Sequence, residues 1–103
     1  MTKHYISACI ELRDGADLEK AEKGLRLLAE QTQSEPGCLL FEIRQNLQEP
    51  HKFTLWECWT DRKALSDHFE MEHTKAYLAQ DLTQVNYIEE LGEIGMHADE
   101  QAA

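Results

Sequence analysis

Two runs, Cys38-Leu39-Leu40-Phe41-Glu42-Ile43 and Phe53-Thr54-Leu55-Trp56-Glu57-Cys58-Trp59, decide how this chain folds. Both read as strands, and the loop between them, Asn46-Leu47-Gln48-Glu49-Pro50-His51, holds a proline that cannot donate to a ladder. In the second run Phe53, Leu55, Glu57 and Trp59 share one face, and Thr54, Trp56 and Cys58 share the other. Each face carries large apolar groups, whereas a sheet with one wet face alternates cleanly between apolar and polar. One face can be covered by the chain's own helices; the other needs a partner. After Trp59 the period turns helical at Thr60-Asp61.

Upstream, Tyr5 to Leu12 alternates as a strand, with Ile6, Ala8, Ile10 and Leu12 on one face. Arg13-Asp14-Gly15-Ala16 is turn chemistry, and Asp17 is suited to cap a helix with Glu19 in its first turn. Leu18, Ala21, Leu25, Leu28, Ala29 and Thr32 then recur at helical spacing. Gly24 inside that helix costs about 1 kcal/mol relative to Ala, so it either allows a close approach to the sheet or is tolerated. The helix stops at Ser34-Glu35-Pro36-Gly37, because the residue before a proline resists helical torsions.

Downstream, the second helix turns Ala64, Leu65, His68 and Phe69 inward. A break near Met71-Glu72 is expected, since His73, Ala76, Tyr77 and Gln80 make a fresh stripe out of phase with the first. Gln84 to Ile94 contains a last strand, weakened beyond Glu89-Glu90, and Met96 to Ala103 is a polar tail expected to be disordered. The order strand, helix, strand, strand, helix, strand is the split βαβ arrangement. It predicts an α+β, ferredoxin-like fold: a four-stranded antiparallel sheet with helices on one face. We expect one domain over residues 1–95 and a tail over 96–103. The bare apolar face predicts a symmetric homodimer, sheet against sheet.

The 103 residues include 20 acidic and 10 basic side chains, for a net charge of -10. That balance leaves no basic patch, which argues against nucleic acid and anionic membrane as partners. No window reaches the length of a membrane span, and the N-terminus does not read as a secretory signal. Cys9, Cys38 and Cys58 are odd in number and widely spaced in strands, a pattern that fits reduced cysteines in the cytoplasm.

Glu57, Trp59, His68, His73 and Tyr77 are polar or amphipathic groups in the most apolar third of the chain. Burying such groups without partners costs roughly 1–3 kcal/mol each. Glu57 is expected to pair with Lys63 or Arg62, to bond a histidine, or to take a proton itself at a raised pKa. His68 stands where an apolar residue belongs, either as a satisfied core histidine or as a functional one. His68 and His73 are five residues apart, off the spacing of one helical face, which argues against a metal cage. Cys58 has no sequence-local base and reads as packing.

Glu35-Pro36-Gly37-Cys38-Leu39-Leu40-Phe41-Glu42, Phe53 to Trp59, Ala64-Leu65-Ser66-Asp67-His68-Phe69 and His73-Thr74-Lys75-Ala76-Tyr77 together resemble the antibiotic biosynthesis monooxygenase family. The resemblance covers Tyr5 to Ile94, and Glu72 departs from it where a proline commonly precedes the second histidine. The resemblance implies a dimeric α+β barrel with a cavity between sheet and helices. It also implies oxidation of small aromatic or quinol-like substrates by molecular oxygen, with no cofactor. His68, Glu57 and His73 then stand as catalytic candidates, with Glu57 or His73 orienting His68. Trp59, Tyr77 and Phe41 stand as substrate-binding candidates. Haem is not expected, because Ser7, Ala8 and Cys9 stand where haem-degrading relatives place an Asn. Two other functions fit the same pocket: an isomerase or lyase acting on a small carbonyl metabolite, as in the signal-molecule-processing branch, and a non-catalytic, stress-related ligand-binding dimer.

Overall fold

The computed structural model describes residues 3–97, so most of the tail expected at 96–103 lies outside the described residues. Strand β1 (His4–Leu12) alternates buried and half-buried residues along its whole length. Helix α1 (Leu18–Thr32) is capped by the Asp17 carboxylate, which accepts from the Lys20 N–H, and it buries Ala21, Leu25, Leu28 and Thr32. Strands β2 (Cys38–Gln45) and β3 (Lys52–Trp59) form the central hairpin. Helix α2 (Arg62–His68), helix α3 (Glu72–Ala79) and strand β4 (Thr83–Leu91) complete the chain. All three pairings are antiparallel and the sheet order is β2-β3-β1-β4, the ferredoxin-like α+β fold.

Two clusters form the core. One joins Ile10, Leu12 and Phe53 of the sheet to Ala21, Leu25 and Leu28 of α1 and Tyr77 of α3. The other joins Ile6, Ala8, Phe41 and Trp59 to Ala64 of α2, with Ala29 of α1 packed against it. The helices therefore cover one face of the sheet. Gly24 has its reason here, though not the expected one. A Cβ at Gly24 would stand 3.1 Å from the Tyr77 ring, so the close approach is made by α3 rather than by the sheet.

Three details of the second half differ from expectation. Phe69 is exposed because α2 ends at His68 and Phe69 only caps it. Helix α3 buries Thr74 and Tyr77, while Ala76 and Gln80 face outward. Strand β4 continues through Glu89-Glu90 to Leu91, because Glu90 pairs in register with Ile6 and its carboxylate meets His4 Nε2 at 2.8 Å and Arg62 at 3.2 Å. The outer face of the sheet carries Tyr5 stacked on Trp56 at 5.9 Å, with Thr54 exposed beside it. Strand β4 is bare on both sides: Val85 and Ile88, opposite the inward Ile10 and Ala8, are 64% and 56% exposed, and Tyr87 is 47% exposed.

Candidate active site

The turn between α1 and β2 places a carboxylate that was legible in the sequence only as part of a turn. Glu35 is tied by its N–H to the Thr32 carbonyl at 3.0 Å, and its own carbonyl accepts from the Cys38 N–H at 3.1 Å. Gly37 has φ +84°, a left-handed conformation that favours glycine. A Cβ at Gly37 would lie 2.6 Å from Ala64 Cβ and 2.8 Å from Thr60 Oγ1, so this turn is pressed against the start of α2. The Glu35 side chain is consequently buried beneath the junction of α2 and α3.

That junction delivers the two histidines. His68 is the last residue of α2, and His73 is the second residue of α3 after the break at Met71. His68 Nδ1 lies 2.7 Å from Glu35 Oε2, with Thr74 Oγ1 a longer neighbour at 3.2 Å. His73 Nε2 lies 2.5 Å from the same carboxylate oxygen. An ionised carboxylate only accepts, so both ring nitrogens donate. In the neutral rings the free lone pairs are then on His68 Nε2 and His73 Nδ1. Glu35 Oε1 is buried and has no hydrogen-bond partner among the described residues.

On the sheet side, Trp59 packs its ring 5.1 Å from that of His68, and Phe41 packs 5.5 Å from it. Glu57 accepts a hydrogen bond from Trp59 Nε1 at 3.0 Å. It pairs with neither expected cation, since Arg62 meets Glu90 and Lys63 meets Asp67. Its hydrogen bond goes to Trp59 and not to His68, whose Nδ1 meets Glu35 instead. Burial pushes the Glu57 carboxyl up to about 7, the Trp59 N–H opposes that rise, and the nearby Glu35 charge adds to it. Burial also pushes the Cys38 thiol up to about 11, with Glu35 and Glu57 adding to the rise, which keeps it protonated and unreactive.

Of the six candidates, Phe41, Glu57, Trp59, His68 and His73 form one connected group with Glu35 and Thr74. Tyr77 makes its hydrogen bond outside that group: its hydroxyl lies 2.9 Å from Thr83 Oγ1 and its pKa is raised by burial. Sequence reasoning missed Glu35 and Thr74. The available signal for Glu35 was a carboxylate fixed just ahead of a Pro-Gly turn that enters a buried strand.

Glu35, His68 and His73 also offer one oxygen and two nitrogen ligands within 4.8 Å of one another. Their five-residue spacing does not prevent convergence, because the histidines sit on separate helices. The contacts of 2.5 and 2.7 Å are nonetheless those of hydrogen bonds, while donors around a tetrahedral zinc stand roughly 3.3 Å apart. No helix of the described residues is long and apolar enough to cross a membrane.

A family model described as antibiotic biosynthesis monooxygenase matches residues 5–80. The uncharacterized protein YjcS of Bacillus subtilis (strain 168) is 33% identical over 88 residues, covering 85% of this chain and 84% of that protein. The structure of PA3566 from Pseudomonas aeruginosa superposes with a TM-score of 0.81 at 30% identity, covering 92% of this chain and 97% of that one. A solved antibiotic biosynthesis monooxygenase matches at TM-score 0.70 and 22% identity, over 94% of this chain and 100% of that one, a likeness of fold. Glu72 is the first residue of α3, a position where proline is favoured and where an acidic side chain complements the helix dipole. The chain belongs to the antibiotic biosynthesis monooxygenase family.

Proposed function

We propose that the protein is a cofactor-independent monooxygenase that oxidises a small aromatic, quinol-type substrate with molecular oxygen. The observation that carries this reading is the buried Glu35 carboxylate holding two imidazoles through one oxygen. A carboxylate behind an imidazole fixes its tautomer and stabilises the cation formed when it takes a proton. His68 and His73 together are the proton-accepting unit, with Glu35 as its positioning residue.

Loss of a hydroquinone proton to an imidazole leaves an anion able to give one electron to oxygen. The resulting semiquinone and superoxide combine as a hydroperoxide, which loses water. One oxygen atom ends in a hydroxyquinone and the other in water, and the four electrons come from the substrate. Phe41 and Trp59 keep the base dry, which strengthens its hydrogen bonds. The proton taken by the imidazole returns to the departing oxygen as that water is lost.

The same pair of imidazoles on Glu35 also supports a second reading, an isomerase that moves a proton along a small carbonyl substrate. Oxygen uptake by chelator-treated protein across a panel of hydroquinones decides between them. The monooxygenase reading expects stoichiometric uptake; no uptake on any quinol would overturn it. The working unit we propose is a homodimer, supported by the bare outer face and by β4 lying open on both sides. The three free cysteines support a reducing, cytoplasmic setting.

A further inference from the structure

The histidine–glutamate cluster is closed on its sheet side, where Phe41, Trp59 and His68 are 1%, 0% and 4% exposed. His73 alone of the hydrogen-bonded pair of imidazoles is part-exposed, and it lines a groove of about 410 Å³ between α1 and α3. We infer that this groove receives the substrate of the reaction proposed above, that it takes an uncharged hydroxyaromatic molecule, and that His73 is the imidazole the substrate meets. The inference rests on the monooxygenase reading for the chemistry, but binding in the groove is measurable without it.

Leu27, Leu28 and Ala76 give the groove apolar walls, and Gln31 and Gln80 add amides that can meet hydroxyl or carbonyl oxygens. Gly24 keeps α1 narrow there, which lets the Tyr77 ring pack in as part of the lining. His73 Nε2 is committed to Glu35, which leaves Nδ1 to accept a hydrogen bond from a ligand hydroxyl. Glu72 is the one carboxylate on the lining, no lysine or arginine joins it, and the chain carries a net charge of -10. A carboxylated or phosphorylated ligand would meet like charge with nothing to neutralise it. The larger groove of about 480 Å³ on the other side of α1 suits such a substrate less well. It presents Glu22, Arg26, Glu30, Glu42 and Arg44, contains neither histidine, and is separated from His68 by Phe41.

The test is an amide-resolved NMR titration of the whole chain with methylhydroquinone under argon, repeated with 2,5-dihydroxybenzoate as its anionic counterpart. Methylhydroquinone should shift the amides of Leu27, Gln31, Ala76 and Gln80 together with the His73 ring signals, and the anion should bind at least about 10-fold more weakly. Ala76→Trp and Leu27→Trp, at exposed positions on the two walls, should each weaken binding at least about 10-fold. Leu78→Trp, exposed on α3 but off the lining, should leave it unchanged. Shifts confined to Leu40–Gln45 or to Trp56 and Tyr87, equal affinity for the anion, or no binding would overturn the inference. Oxygen uptake with the shifts elsewhere would refute the groove and spare the monooxygenase. Groove binding without uptake would do the reverse.

Discussion

Glu35 is the residue on which the site turns, and its identity is a carboxylate, not merely a polar group. Glu35→Gln keeps the shape but replaces an acceptor of two N–H groups with a weaker, uncharged one. Steady-state kinetics should show kcat reduced at least about 10-fold with KM little changed, because the imidazoles lose the charge that stabilises their cations. Glu57 makes a separate prediction. Its folded pKa of about 7 lies above the ordinary 4.5, so the folded chain binds more protons than the unfolded chain between those values. Stability from this group is therefore full below about pH 4.5 and is lost as pH rises through 7. The loss amounts to roughly 3 kcal/mol. Urea denaturation across pH 4.5–8 should show that slope in the wild type and a flatter one in Glu57→Gln. An identical slope in both would mean that Glu57 is ionised throughout.

At the scale of elements, the alternation in β1 and β3 and the cap at Asp17 were legible because each depends on neighbours in sequence. The break between α2 and α3 was legible too, as a change of phase. What the break does was not. It turns two histidines from different helices toward one point, and the third member arrives from a turn 33 residues before His68. No local spacing encodes that meeting. Phe69, Ala76 and Gln80 mislead for the same reason, since a periodic stripe states which residues share a face but not where a helix ends against its neighbours. The turn that carries Glu35 is held by Gly37. Gly37→Ala should cost roughly 2–4 kcal/mol, from a positive φ and from contact with Ala64 and Thr60, and chemical denaturation measures it directly. The same variant should lose activity, because Glu35 moves with the turn.

Across the whole molecule, the helices cover the inner face over β1, β2 and β3 but leave β4 open, with Val85, Tyr87 and Ile88 exposed. In the proposed homodimer a second copy would cover this exposed apolar strand together with the outer face. Sedimentation at micromolar concentration should give a dimer mass, and Thr54→Lys on the outer face should give a less stable monomer. A monomeric wild type would contradict the assembly. Cys58 shares that face but is already buried within one chain, so a charge there would disturb the fold as well as the interface.

Oxygen uptake by His68→Ala, read beside its denaturation curve, bears most directly on the claim that the histidine pair on Glu35 is the catalytic base. The ring of His68 contributes packing against Trp59 and Phe41, so some loss of stability is expected. The account predicts a folded variant whose rate on hydroquinones falls at least about 100-fold, the low end for a positioned base. Undiminished uptake in a variant destabilised by roughly 2–4 kcal/mol would make His68 a core histidine and contradict the account.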